Sequence, residues 1–155
     1  MEKLNCSVYD VVDSIENLLA EDAVLPLYVS GSSMNPFLIS RRDIVYLNAF
    51  KESDLSKGSI ILFKRKDGSL VLHRIRKILD EGRVQVNGDA QTWCETVNKS
   101  QILATVIEIE RKGKRKKADS FYWNSINSLW KMLYPLRSVM MRIWFKARRM
   151  KNKAE

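Results

Sequence analysis

The sequence contains no long run of apolar residues. None of its apolar stretches reaches the roughly 18 consecutive residues that a transmembrane helix needs. The first residues, Met1–Tyr9, carry acidic charge and lack the apolar core of a secretory signal peptide. The sequence therefore predicts neither a cleaved signal peptide nor a membrane-spanning helix, and it predicts a cytoplasmic location.

Cysteine is scarce. The two cysteines, Cys6 and Cys94, are far apart in the chain and fit no metal-ligand spacing. Two reduced thiols are expected, with a single disulfide as the alternative that the sequence leaves open. Neither cysteine lies in a recognisable nucleophile motif, which argues against cysteine catalysis. No metal and no cofactor is predicted.

Acidic residues are nearly absent from the last third of the chain. Residues 1–110 contain 13 lysines and arginines against 16 acids, whereas residues 111–155 contain 14 against 2. The net charge of +9 therefore belongs to the C-terminal part. Such a tail favours contact with anionic surfaces, either a membrane or a nucleic acid.

Hydrophobic periodicity predicts one helix followed by several short strands. Apolar residues recur at helical spacing over residues 7–21, with acids on the other face. The strands are predicted at Leu25–Ser30, Ile44–Leu47, Ser59–Lys64, Leu70–Ile78, Arg83–Val86 and Ile102–Glu110. Between two of them, Lys66–Ser69 is a strong hairpin turn signal. This spacing of short strands predicts a mainly β body.

The most informative segment is Val29–Leu38, with the sequence VSGSSMNPFL. Gly31 lets the chain turn sharply and brings backbone N–H groups towards a reacting carbonyl. Ser33 lies on that turn with its hydroxyl presented, Met34 can anchor the turn in the core, and Pro36 stiffens the exit. The alternative is an ordinary loop, because Gly, Ser, Asn and Pro are common loop residues.

Two further segments follow in order. The only histidine, His73, lies on a predicted strand 40 residues after Ser33. A turn of sequence Asn-Gly-Asp follows at Asn87–Asp89. Taken singly, a lone histidine is more often a surface or core residue, and Asn-Gly-Asp is more often a simple tight turn. The order of the three segments is what favours a chemical role.

The three segments together resemble the signal peptidase/LexA family. Val29–Leu38 is similar to the nucleophile box of signal peptidases, whose pattern is G-x-S-M-x-P. Leu72–Ile75, with the sequence LHRI, looks like the His-Arg-Val of endoplasmic-reticulum-type members, where bacterial signal peptidases have a lysine base. Gly88-Asp89 and Ile102–Ile107 match the family's Gly-Asp box and closing strand. The resemblance covers about residues 26–110.

The resemblance implies the signal peptidase/LexA-like β-fold and serine endopeptidase activity on a peptide or precursor protein. Ser33 would be the nucleophile and His73 its general base. Asp89 would either orient His73 or keep the loops of the site in place. An oxyanion hole built from backbone N–H groups is implied, with the Ser33 amide as a candidate donor. The remaining implied substrate-binding or oxyanion residues are Gly31, Ser32, Met34 and Pro36.

Two other functions remain open. One is a self-cleaving LexA-like regulator, although the residues before the first box are too few for a helix-turn-helix domain. The other is a non-catalytic peptide-binding module on the same fold, against which the presence of both Ser33 and His73 argues. The family's usual Thr and Gly-Asp after the nucleophile box are replaced by Phe37 and by Arg42-Asp43.

The C-terminal part is predicted to be a linker followed by a helical tail. Arg111–Lys117 holds six cations and predicts a solvated basic linker over residues 111–119, which separates the peptidase domain, residues 1–110, from a tail over residues 120–155. Phe121–Met150 is helical in composition, with an interruption at Pro135.

The tail combines an apolar and aromatic face with many cations, which is typical of an amphipathic helix lying on an anionic membrane. In that case the contact is peripheral, at the inner face of the cell membrane. Alternatively, the apolar face packs on the peptidase body or on a partner protein. Nucleic acid is the less favoured partner, because the aromatic residues lie among aliphatic ones and no known nucleic-acid motif appears.

Overall fold

The structure, a computed structural model, describes residues 14–19, 21, 23–80, 82–120, 123, 125, 128, 132 and 136–151. Its main element is an eight-stranded antiparallel sheet. The strands are β1 (Leu25–Tyr28), β2 (Asp43–Ala49), β3 (Ile60–Lys64), β4 (Leu70–Ile78), β5 (Arg83–Asn87), β6 (Glu95–Asn98), β7 (Ile102–Arg111) and β8 (Lys114–Lys117). The prediction of a mainly β protein is confirmed.

The described helices are few. Residues 14–19 are helical, and the rest of the helix predicted over residues 7–21 falls largely outside the described residues. Two 3₁₀ turns lie at Glu52–Asp54 and Lys99–Gln101, and an α-helix runs over Arg137–Lys151. Within the described ranges, no helix is long and apolar enough to cross a lipid bilayer. The predicted interruption at Pro135, like Cys6, lies outside the described residues.

The sheet forks at β7. The strand order is β1-β2-β7-β3-β4-β5-β6, and β8 also pairs with β7. β7 pairs with β3 through Ile102–Thr105 and with β8 through Glu108–Arg111, on the side opposite β2. The strand β3 is covered on both faces, which explains its continuous apolar sequence. Ile60 and Leu62 lie in one hydrophobic core, and Ile61 and Phe63 lie in the other.

The basic segment predicted as a solvated linker is instead the end of β7 and the strand β8, and this prediction is corrected. Lys112 and Gly113 both have positive φ, at 52° and 72°, the requirement of a two-residue type I′ hairpin turn. The turn folds β8 back onto β7. Arg115 then lies 3.5 Å from the centre of the Tyr46 ring and pairs with Glu108, so its charge is compensated although the strand is exposed.

Candidate active site

The loop that carries Ser33 is anchored by buried apolar side chains. Met34 and Leu38 are 3% and 1% exposed and belong to the core that covers one face of the sheet. The Met34 carbonyl accepts hydrogen bonds from the N–H groups of Phe37 and Leu38, at 3.1 and 2.9 Å. Gly31 begins the turn with a φ of 77°. The loop that carries Ser33 is therefore anchored in the core. The Met34 side chain faces this core rather than a substrate.

Asp43 ties the end of this loop to the sheet. Its carboxylate is fully buried, accepts the Ile39 N–H at 2.9 Å, and pairs with Arg42 at 2.7 Å and with Arg111 at 3.1 Å. Burial by itself would raise the pKa of Asp43, but the hydrogen bonds from Arg42, Arg111 and Ile39 outweigh it and hold this pKa below its usual value. Arg111 also donates to the Phe37 carbonyl. The loop is thus held at both ends.

Ser33 meets the Asn-Gly-Asp turn through its backbone. The Ala90 N–H donates a hydrogen bond of 2.8 Å to the Ser33 carbonyl. A Cβ atom at Gly88 would stand 2.7 Å from the same carbonyl oxygen and 2.8 Å from Oε1 of Gln91, so only glycine fits there. The structure therefore brings the first and third predicted segments into direct contact.

The side chain of Ser33 lies in a half-buried position. In the part of the chain that the structure describes, no hydrogen bond involves its hydroxyl, and its N–H donates none. Gly31 and Ser32 beside it are exposed, and Pro36 is half-buried after a cis peptide bond. Both the hydroxyl and the amide of Ser33 are therefore available to a substrate carbonyl.

His73 stands on β4 beside the same turn. The β4–β5 register pairs Arg74, the residue after His73, with Asn87, the last residue of β5. Gly88, which contacts Ser33, follows directly after Asn87. Among the described residues, no hydrogen bond joins the Ser33 hydroxyl to the imidazole.

The imidazole of His73 is 1% exposed and lies among aromatic rings and charges. The ring centres of Phe63 and Trp93 are 5.9 and 6.5 Å from it. Burial lowers the pKa of His73 below its ordinary value of 6.5, opposed by the negative charge of Glu95 and assisted by the positive charge of Arg65. His73 is therefore neutral at neutral pH, the state that a general base needs.

Glu95 is the carboxylate next to His73. Its Oε1 lies 3.0 Å from Nδ1 of His73, although the ring N–H is not aimed well enough for a formed hydrogen bond. A carboxylate at this position favours the tautomer with its proton on Nδ1, which leaves the Nε2 lone pair free to accept a proton. Arg65 holds the same carboxylate with two bonds, from Nε to Oε2 at 2.9 Å and from Nη2 to Oε1 at 2.6 Å.

Sequence reasoning did not identify Glu95 or Arg65. Glu95 begins β6, a short polar strand without hydrophobic alternation, which was not predicted. The register aligns Glu95 with Val86 and Val86 with Ile75, which puts Glu95 on the face of the sheet that carries His73. The only signal in the sequence was an acid six residues after Asp89.

Asp89 lies against Arg74 rather than against His73. Both side chains are buried, and Arg74 donates to Asp89 from Nε at 3.0 Å and from Nη2 at 2.8 Å. Arg74 also donates from Nη1 to the Gly58 carbonyl at 2.8 Å. Because neighbouring residues of a strand point to opposite faces, this pair lies across the sheet from the His73 ring. Its position fits the bracing of loops, the second of the two roles considered for Asp89.

Two clefts in the described part of the chain are lined by neither Ser33 nor His73. One cleft of about 650 Å³ opens where β3 and β8 diverge along β7, and its lining includes Leu38, Arg74 and Trp123. Within the described residues, no group of three or more His, Cys, Asp or Glu side chains could hold a metal ion. Cys94 is a half-buried free thiol. Besides the Ser33 loop, the chemically distinctive group is His73 with Glu95 and Arg65.

Comparisons with known proteins do not extend these observations. No protein-family model matches the chain, and a search of curated proteins also finds no match.

Proposed function

We propose that the chain is a serine endopeptidase in which Ser33 is the nucleophile, His73 the general base and Glu95 the carboxylate that orients this base. The observation that carries the proposal is the setting of His73: it is buried, and its Nδ1 is 3.0 Å from a carboxylate. The next residue on β4, Arg74, pairs with Asp89, whose neighbour Ala90 donates a hydrogen bond to the Ser33 carbonyl. A neutral buried imidazole backed by an acid is the arrangement that activates a serine hydroxyl. The substrate class is a peptide or a precursor protein.

The reaction begins when Nε2 of His73 takes the proton of the Ser33 hydroxyl as Oγ attacks a peptide carbonyl. The backbone N–H of Ser33 is a donor for the oxyanion that forms from the carbonyl oxygen. The intermediate collapses, His73 gives its proton to the leaving amine, and an acyl-enzyme ester remains on Ser33. A water molecule, deprotonated by His73, then attacks the ester and releases the acid product, which restores the Ser33 hydroxyl.

The proposed dyad has no formed hydrogen bond among the described residues and would have to close when substrate binds. Catalytic hydrogen bonds are often long or poorly aligned in an enzyme without substrate and tighten in the complex. General-base help of this kind is typically worth about 10²–10⁴-fold in rate. The orienting role is assigned to Glu95 and not to Asp89, because Glu95 lies 3.0 Å from Nδ1 of His73. Asp89 instead pairs with Arg74 on the other face of the sheet.

The fold that we propose is the signal peptidase/LexA-like β-fold. Support comes from the order of its parts: a strand β1 that leads into the serine loop, the base on β4, the Gly-Asp turn after β5, and the closing strand β7. The mainly antiparallel sheet is compatible with this assignment.

The first experiment labels the protein with a fluorophosphonate, in which a nucleophilic serine displaces fluoride from phosphorus. We expect wild-type protein to gain one adduct on Ser33 at pH 8, and we expect Ser33→Ala to gain none. Ser100→Ala is the matched control, because Ser100 is an exposed serine outside the site, and it should label like wild type. Absence of labelling in a folded wild-type protein would leave the peptide-binding module as the better explanation.

The second experiment identifies the substrate. A diverse peptide library is incubated with wild type and with Ser33→Ala, and the products are read by mass spectrometry. Cuts that disappear with Ser33→Ala give the specificity. A cut within the protein's own chain, dependent on Ser33, would instead indicate the self-cleaving regulator.

A further inference from the structure

Among the described side chains of the C-terminal helix, Arg137–Lys151, one face packs on the protein body. Met141 is 5% exposed and lies in the same core as Met34 and Leu38. Met140 and Trp144, the neighbours of Met141 on this face, are half-buried against that core. The alternative of packing on the protein body, considered for the tail, therefore accounts for this face of the helix.

A second face carries an exposed row of apolar side chains. The members of this apolar row are Leu136, Val139, Ile143 and Met150, which are 54%, 53%, 64% and 66% exposed. Their spacing of three, four and seven residues aligns them along one line of the helix. An aligned set of large exposed apolar residues is typical of an interaction surface rather than of scattered surface positions.

Cations line one side of the apolar row. The described members of this basic row are Arg142, Lys146 and Arg149, all exposed and spaced four and three residues apart. The sequence has no acidic residue between Asp119 and Glu155. No acid of this region can therefore compensate the basic row, which leaves its charge available to an anionic partner.

We propose that this face of the helix binds the surface of an anionic lipid membrane. The apolar row inserts at the boundary between headgroups and acyl chains, and the basic row lies on the lipid phosphates. A second copy of the chain fits less well, since pairing two such faces would bring two uncompensated basic rows together. A nucleic acid would engage the cations and leave the apolar row in water.

The geometry of the helix fixes how the protein sits on the membrane. One long face of the helix is taken by the body through Met141, and the apolar row occupies another. The helix therefore lies parallel to the bilayer, with the β-sheet body on the side away from the lipid. This inference uses no feature of the proposed active site, so it can fail or succeed independently of the peptidase activity.

The test is co-sedimentation of the full-length chain with phosphatidylcholine vesicles that contain phosphatidylserine at about one lipid in three. We expect wild type to bind these vesicles, to bind pure phosphatidylcholine vesicles at least about tenfold more weakly, and to lose affinity as salt rises. The double variant Val139→Asn/Ile143→Asn should lose at least about tenfold in partitioning. Its matched control is Val24→Asn/Ile78→Asn, which changes the same residue types at half-exposed positions elsewhere, and this control should bind like wild type.

The charge is tested separately. Arg142→Gln/Lys146→Gln/Arg149→Gln should weaken binding by about tenfold or more and flatten the salt dependence. Lys112→Gln/Lys114→Gln/Lys117→Gln removes the same charge from the exposed β7–β8 hairpin and should bind like wild type.

Three results would overturn the proposal. The first is equal vesicle binding by wild type and Val139→Asn/Ile143→Asn. The second is a lipid-free dimer, seen by size exclusion, that this double variant dissociates, because it would assign the face to a second copy. The third is tighter binding to duplex DNA than to the anionic vesicles, which would assign the basic row to nucleic acid.

Discussion

Glu95 stands between His73 and Arg65, with its carboxylate 3.0 Å from Nδ1 of the histidine and 2.6 Å from Nη2 of the arginine. The two charged residues shift the pKa of His73 in opposite directions: the Glu95 charge raises it, and the Arg65 charge lowers it. Because His73 is the only histidine in the chain, its NMR titration reports on this network without ambiguity.

Replacing the carboxylate separates its two effects. Glu95→Gln removes the negative charge beside Nδ1, so the pKa of His73 should fall further below 6.5. A neutral amide also does not favour the Nδ1–H tautomer of His73 as the carboxylate does. Fluorophosphonate labelling of Ser33 at pH 8 should therefore slow by roughly 10²–10⁴-fold. Glu52→Gln, which removes an exposed acid paired with Lys99, is the control and should change neither quantity.

Arg65 is expected to position Glu95. Arg65→Gln removes a positive charge near the imidazole, so the pKa of His73 should rise, while labelling of Ser33 at pH 8 should slow because Glu95 loses its two-pronged support. Arg65→Lys keeps the charge but not the fork, and should slow labelling with a smaller change in pKa. A wild-type rate and titration in both variants would show that Arg65 has no such role.

Asp89 should matter for stability. Asp89→Asn leaves the buried Arg74 guanidinium without its ionic partner, and loss of one member of a buried ion pair typically costs about 3–5 kcal/mol. The free energy of unfolding, measured in urea, should fall by that amount, while the pKa of His73 should change less than in Glu95→Gln. The reverse order of the two pKa changes would make Asp89 the carboxylate that orients the base.

A larger residue at position 88 is expected to destabilise the protein for a steric reason. A methyl group there meets the Ser33 carbonyl at 2.7 Å, so Gly88→Ala should cost about 1–3 kcal/mol and displace Ser33, with slower labelling. Gly113→Ala is the control, because Gly113 has positive φ but no atom within 4 Å of an added Cβ. It should cost about 1–2 kcal/mol through backbone strain and leave labelling unchanged.

Acid should weaken both the activity and the fold through His73. The unfolded histidine takes up a proton near pH 6.5, whereas the buried one does so only at lower pH. This contribution to stability is therefore complete above about pH 6.5 and is lost as pH falls through the folded-state pKa. Labelling should stay flat from pH 8 through about 6.5 and fall only as pH approaches the lower pKa of His73 in the folded protein. His73→Gln should flatten the dependence of unfolding free energy on pH over the same window.

Much of the sheet could be predicted because its strands carry strong local signals. The predicted strand at Leu70–Ile78 coincides with β4, and the other predicted strands overlap β1, β2, β3, β5 and β7. The two missed strands, β6 and β8, have sequences ETVN and KRKK, which show no hydrophobic alternation. They form because neighbouring strands offer unpaired edges and, for β8, because two residues with positive φ reverse the chain.

The sequence predicted which backbone segments form the site but not which charged side chains meet there. The order of the three segments indicated that Ser33, His73 and Asp89 belong together, and the contact between Ser33 and the Gly88–Ala90 turn fits that expectation. Which acid faces the histidine depends on strand register and on which face each residue takes. A register shift of one residue moves every side chain of a strand to the other face of the sheet. The sequence around Asp89 does not determine this register.

The serine loop is held in place without its reactive side chain. Position 33 is held by its carbonyl, by the buried neighbours Met34 and Leu38, and by the fit of Gly88, none of which depends on the side chain at that position. Folding and chemistry are therefore separable here. A descendant of this protein can exchange or lose the reactive group while keeping its architecture, and an engineer can install a thiol at position 33 without redesigning the scaffold.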